Sequence, residues 1–86
     1  MRYFQDMRGE PKQVALHTFL SELGRAQRRF DGLYVGLTYF LTRWRSRHLT
    51  PDVQERTRIF QELVDAGHVE VYTTATAERA IRRKSA

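Results

Sequence analysis

The stretch Thr50–Tyr72, TPDVQERTRIFQELVDAGHVEVY, predicts a capped amphipathic helix, a glycine stop and a short strand. Thr50 can cap the helix, and Pro51 suits its first position because the missing N–H would have no partner inside the helix. Asp52 and Glu55 follow where the positive end of the helix dipole favours carboxylates. At about 100° per residue, the predicted inner face consists of Val53, Thr57, Phe60, Leu63 and Val64, with Ile59 at its margin.

Gly67 is expected to end this helix, because glycine readily adopts the left-handed backbone conformation common at helix ends. His68–Thr74 then predicts a strand. Its alternation places Val69 and Val71 on one side and Glu70 and Tyr72 on the other.

Residues 73–84 are open to two interpretations. In a wing-like hairpin, Thr73–Thr76 would be the tip and Ala80–Lys84 the return strand. In a helix over Ala77–Lys84, the Ala, Glu and Arg residues have the better intrinsic propensity, which favours the helix slightly. The strand before such a helix would need a partner, either Arg2–Met7 or the same strand of a second subunit.

A first helix is predicted to begin near Pro11, a residue favoured in the first turn. Its pattern continues to Phe30, and Gly24 is a point at which the helix could bend or end. The apolar face consists of Leu16, Phe19, Leu20, Leu23, Ala26 and Phe30.

A second helix is predicted from the Asp31 cap to about His48. The alternative is a strand within YVGLTYFL, residues 34–41, where apolar residues alternate. We favour the helix because the helical pattern continues through Trp44. The large aromatic residues assigned to inner faces are Phe19, Phe30, Phe40, Trp44 and Phe60, whereas Tyr39 and Val35 project outward as a candidate contact patch.

The composition predicts one small folded domain over residues 1–86, with ends at 1–10 and 80–86 that could be flexible. Hydrophobic residues make up 41% of the chain and charged residues 29%, which argues against disorder and against a membrane protein. The longest apolar run, Leu33–Leu41, is too short to span a bilayer. The amino terminus lacks the apolar segment of a secretory signal, so we expect a cytoplasmic location.

The net charge of +5 favours an acidic partner, of which nucleic acid is the commonest for a small basic protein. Arginine supplies nearly all of this positive charge. A GC-rich coding sequence would explain the same composition without any binding function.

The segment Glu55–Tyr72, ERTRIFQELVDAGHVEVY, resembles the recognition helix, turn and first wing strand of winged helix-turn-helix domains in bacterial transcriptional regulators. The resemblance extends over residues 50–84. It implies a mainly helical α+β fold, with a three-helix core and a short strand or wing-like hairpin. It also implies that the third helix enters the DNA major groove, where Gln54, Arg58 and Gln61 would read base edges.

The charge of the third helix argues against its contact with DNA. Its outer face also carries Glu55, Glu62 and Asp65, and Asp52 lies at its amino-terminal end, so phosphate would be repelled. The alternative is a solvated face held by an Arg58–Glu62 ion pair. The flanking basic residues are better candidates for contact with the nucleic-acid backbone. They are Arg43, Arg45, Arg47, Arg79, Arg82, Arg83 and Lys84.

Catalytic chemistry has little support in the sequence. The three histidines, His17, His48 and His68, are far apart and lack a metal-ligand or triad spacing, and no glycine-rich phosphate loop is present. We therefore expect no enzyme activity, metal or cofactor. The leading hypothesis is a homodimeric regulator that binds double-stranded DNA, and the alternative is a module that docks on a larger protein through Val35, Tyr39 and the acidic helix face.

Overall fold

The computed structural model describes residues 11–30 and 34–84. Within them the chain forms a small α+β fold of three helices and a three-stranded antiparallel sheet. The elements are α1 (Pro11–Arg29), β1 (Val35–Gly36), α2 (Leu37–Thr42), α3 (Val53–Asp65), β2 (Val69–Thr73) and β3 (Arg79–Arg83). The Arg2–Met7 segment, considered as a possible partner for the strand after α3, lies outside the described residues.

The sheet has the order β1-β3-β2, so β3 is its central strand. β2 and β3 form a hairpin whose register runs from Val69 opposite Arg83 to Thr73 opposite Arg79. The preference for a helix over Ala77–Lys84 is therefore wrong. Of the end at 80–86 that could be flexible, residues 80–83 belong to β3. Cross-strand hydrogen bonds on both edges of β3 outweigh the modest helix propensity of its residues.

The turn of this hairpin is closed by its own backbone. The Thr74 N–H donates to the Glu78 carbonyl at 2.7 Å, and the Ala77 N–H donates to the Thr74 carbonyl at 2.9 Å. Ala77 has φ of 67°, in the left-handed region. The strand that pairs with β2 is therefore β3 of the same chain.

The core is centred on three aromatic side chains. Phe40 is fully buried, meets the Phe19 ring edge-on at 5.0 Å between centroids, and stacks on Trp44 at 6.1 Å. Ile81 of the central strand is also fully buried. Phe30 is different, since it is 43% exposed just beyond the end of α1, and its assignment to an inner face is wrong.

The inner face of α3 is shifted from the prediction. Arg56, Ile59, Phe60 and Leu63 are buried, whereas Val53 is 42% exposed and Thr57 is exposed. Val53 is the first residue of the helix, where fewer neighbours can cover it. Ile59, predicted at the margin, belongs to the core.

The second helix is much shorter than predicted. The chain enters β1 at Val35, forms only the six residues of α2, and then continues as a loop to Asp52. The Arg43 N–H still makes the regular helical bond to the Tyr39 carbonyl, but the Trp44 N–H donates to that same carbonyl, so the regular pattern ends there. The strand alternative was correct at Val35–Gly36, where the backbone pairs with β3.

Three boundaries follow from local chemistry. α1 begins at Pro11, and Gly67 follows α3 with φ of 81°, both as predicted. α1 does not end at Gly24, the point at which an early ending was considered, and continues to Arg29. The cap of α3 is Asp52 rather than Thr50, because the Asp52 Oδ1 accepts the Gln54 N–H at 3.0 Å. Thr50 contributes one step earlier by accepting the Asp52 N–H through its Oγ1 at 3.2 Å.

Candidate nucleic-acid interface

The loop between α2 and α3 is held in place by Arg56. This side chain is only 3% exposed. Its Nε donates to the Thr50 carbonyl at 2.5 Å, and its Nη1 donates to the Phe40 carbonyl at 2.8 Å. Burial lowers the pKa of Arg56, and the Glu22 carboxylate opposes that shift. Arg56 thereby joins the end of the loop to α2.

The start of the same loop is anchored by Trp44. Its Nε1 donates to Glu22 Oε1 at 3.1 Å, and the Glu22 side chain is itself buried. The Arg25 Nη1 donates to the other Glu22 oxygen at 3.4 Å. With Trp44 turned inward, the arginines on either side of it, Arg43 and Arg45, are exposed to solvent.

These residues surround an open cleft of about 780 Å³, which we call the basic cleft. Its lining consists of residues 42–47, Pro51 and Arg56. Among the described residues that line it, four are arginines and none is acidic. A positively charged cleft of this kind attracts phosphate groups, because none of the described lining residues has a carboxylate that would compete for the guanidinium groups.

The outer face of α3 has the opposite character. Arg58 forms ion pairs with Glu55 and Glu62, and the Gln61 Nε2 donates to Asp65 Oδ1 at 3.1 Å. The predicted Arg58–Glu62 pair is confirmed. Gln54, Arg58 and Gln61 are exposed, but the Arg58 guanidinium already contacts two carboxylates.

Arg58 also sets the titration of Glu55. Its hydrogen bond holds the pKa of the Glu55 carboxyl below the ordinary value. Because the folded-state pKa is the lower one, the interaction stabilises the fold above the ordinary carboxyl pKa, and the contribution disappears as the pH falls through the lowered value.

Replacing Arg58 with Gln is therefore expected to raise the pKa of Glu55 toward its ordinary value. NMR titration of the Glu55 side-chain carboxyl measures this change. Arg82→Gln is the matched control, because Arg82 pairs with Glu70 on the sheet and should leave Glu55 unaffected. Equal Glu55 midpoints in wild type and Arg58→Gln would contradict the ion pair.

The remaining predicted basic residues lie elsewhere, and none of them lines the basic cleft. Arg79 lines a second cleft beside residues 36–39. Arg82 pairs with Glu70 at 2.6 Å on the sheet. The Arg83 side chain lies against Gly24 of α1, and Lys84 is exposed after β3.

The predicted Val35–Tyr39 patch does not form. Val35 is 2% exposed, because its strand faces the helices and pairs with Ile81. Tyr39 is 36% exposed and meets the Phe30 ring edge-on at 5.6 Å. The outward projection of Val35 is therefore wrong, since it rested on a helix that begins two residues later.

Two features of the structure were missed in the sequence. Arg56 occupies the apolar stripe of α3, three and four residues before Ile59 and Phe60, and this spacing could have identified it as buried. Tyr34 and Tyr72 approach each other only through the sheet register. Over residues 11–30 and 34–84, no group of three potential metal ligands is present, and no helix is long and apolar enough to cross a membrane.

Comparison with models of protein families, with curated proteins and with solved structures finds no match to this chain.

Proposed function

We propose that this protein binds nucleic acid, with double-stranded DNA as its target, and that the basic cleft is its principal contact. The observation that carries this proposal is the wall of the cleft, where the described lining residues include Arg43, Arg45, Arg47 and Arg56 and no acidic residue. Arginine side chains donate to phosphate oxygens in a fixed, forked geometry. Such contacts hold the nucleic-acid backbone without reading its sequence.

We further propose that the fold is organised as a winged helix and acts in transcription regulation. The β2–β3 hairpin directly after α3 supports this interpretation, because a wing requires two strands there. The acidic outer face of α3 makes that helix a poor principal contact. The loop before α3 is the better one, since its arginines are exposed and its Trp44 anchor limits their motion.

The test is the combined replacement of Arg43, Arg45 and Arg47 by Gln. Fluorescence anisotropy with a short duplex of mixed sequence should show weaker binding. The slope of log affinity against log salt should become shallower by about 0.9 for each phosphate that the variant no longer neutralises. Arg58→Gln is the control, because its guanidinium is already paired on α3.

Two outcomes would contradict the proposal. One is unchanged duplex affinity in the triple variant. The other is a larger loss of affinity in Arg58→Gln than in the triple variant, which would make α3 the principal contact.

A protein-docking module is the second candidate, and the outer face of α3 favours it. Four carboxylates, from Asp52, Glu55, Glu62 and Asp65, accompany Arg58 along this helix. A basic protein surface would complement them. Capture of a partner from nuclease-treated lysate, abolished by charge reversal at Glu55 and Glu62, would favour this function, because nucleic acid could not mediate it.

A further inference from the structure

The sheet has a second face, turned away from the core. Val35, Val69 and Ile81 are at most 5% exposed and point toward the helices. Because side chains alternate along a strand, their neighbours Tyr34, Glu70 and Arg82 point to the other side. Tyr72 lies on that side as well, opposite Ala80. We call these four residues, Tyr34, Glu70, Tyr72 and Arg82, the tyrosine face.

The two tyrosine rings lie together on this face. Their centroids are 5.2 Å apart, with 32° between the ring planes. Ala80, in the central strand opposite Tyr72, is only 9% exposed, so its small side chain forms a floor beneath the aromatic pair. Tyr72 is 51% exposed and is the most open large hydrophobic side chain among the described residues.

A guanidinium extends the aromatic surface. The Arg82 Cζ lies 5.0 Å from the centroid of the Tyr34 ring, within range of a cation–π contact. Glu70 also holds the guanidinium, with its Oε1 2.6 Å from the Arg82 Nε. Lys84, two residues after Arg82 and just beyond the end of β3, is exposed as well.

We infer that the tyrosine face binds single-stranded nucleic acid by stacking an unpaired base on Tyr72. Aromatic rings flanked by basic side chains are the recurring surface for single strands, because every base has a flat face and every nucleotide carries a phosphate. Arg82, beside the Tyr34 ring, and the exposed Lys84 supply positive charge near the aromatic pair. A base inside a duplex is already stacked and cannot reach Tyr72. This inference rests on the proposed function and adds single-stranded nucleic acid as a second ligand beside duplex DNA.

The test compares single-stranded oligothymidine, single-stranded oligouridine and a DNA duplex as labelled probes of the full chain. Tyr72→Ala should weaken binding to at least one single-stranded probe by about fivefold or more. Its duplex affinity should not change, because the basic cleft is intact. Tyr72→Phe keeps the ring and is the matched control, expected to bind as the wild type does. The two single-stranded arms separate DNA from RNA.

Glu70→Gln provides a test that does not depend on removing a ring. It leaves Arg82 without its carboxylate partner, so single-strand affinity should rise by about twofold or more. A tyrosine pair that only packs over Ala80 predicts no such gain. If Tyr72→Ala fails to fold, as judged by circular dichroism, the Glu70→Gln result decides whether the tyrosine face binds single strands.

The outcomes separate the two proposals. Duplex binding with no single-strand binding overturns the tyrosine face and leaves the proposed function standing. A Tyr72→Ala variant that folds and binds single strands as the wild type does also overturns it. Binding to none of the probes overturns both proposals.

Discussion

Replacing Phe40 with Ala is expected to lower the free energy of unfolding by about 3–5 kcal/mol. The side chain is fully buried and contacts both Phe19 and Trp44 through its ring. Its removal leaves a cavity that the surrounding rings can fill only in part. Since domains of this size have roughly 5–15 kcal/mol of stability in total, the variant is expected to be close to unfolding. Urea denaturation followed by tryptophan fluorescence measures the change.

Phe30→Ala is the matched control for Phe40→Ala. The same atoms are removed, but Phe30 is 43% exposed and its ring meets Tyr39 only edge-on. Its cost should be about 1 kcal/mol or less. Equal destabilisation in the two variants would contradict the core described above, because it would require Phe30 to be buried as deeply as Phe40.

Replacing Arg56 with Met is expected to cost about 3 kcal/mol, although Met fills a similar space. The reason is the two carbonyl groups, of Phe40 and Thr50, that accept hydrogen bonds from the guanidinium. Without a donor, these two carbonyl groups would be shielded from water and would have lost their hydrogen-bond partner, which costs free energy. The Glu22 carboxylate would also be deprived of a favourable charge nearby. Chemical denaturation gives the stability change.

Arg58→Met is the control for Arg56→Met on the same helix. Arg58 is exposed and its ion pairs are made at the surface, so its removal should change stability little. Arg56→Met should also weaken DNA binding, because the loop that carries Arg43, Arg45 and Arg47 would no longer be tied to α2. If Arg56→Met were as stable as Arg58→Met, the loop would not depend on this residue.

The parts of the fold that the sequence predicted correctly depend on short-range chemistry. Pro11 marks the start of α1, Gly67 follows α3, and β2 begins where an alternating apolar pattern begins. In each case a residue within one turn supplies the reason, namely a missing N–H, a left-handed backbone or a period of two. The Arg58–Glu62 pair was predictable for the same reason, since it spans four residues of one helix.

The candidate sites were predictable only as residue types. The Arg-rich loop was identified in the sequence, but its position beside Arg56 and around a cleft depends on where Trp44 is anchored. The tyrosine face depends on a register between segments 38 residues apart, which no local pattern specifies. Val35 was misplaced because the pairing that buries it joins it to Ile81, far along the chain.

The sequence by itself determined where α1 begins, where α3 ends and which strand follows it, because propensity, capping and periodicity act within a few residues. The tertiary structure decided the short α2, the two-residue β1 and the β2–β3 hairpin. Residues 79–83 have helix-favouring side chains, yet as a central strand they bury Ile81 and satisfy backbone groups against two neighbours. Differences in helix propensity are fractions of a kcal/mol per residue, and burial with paired hydrogen bonds outweighs them.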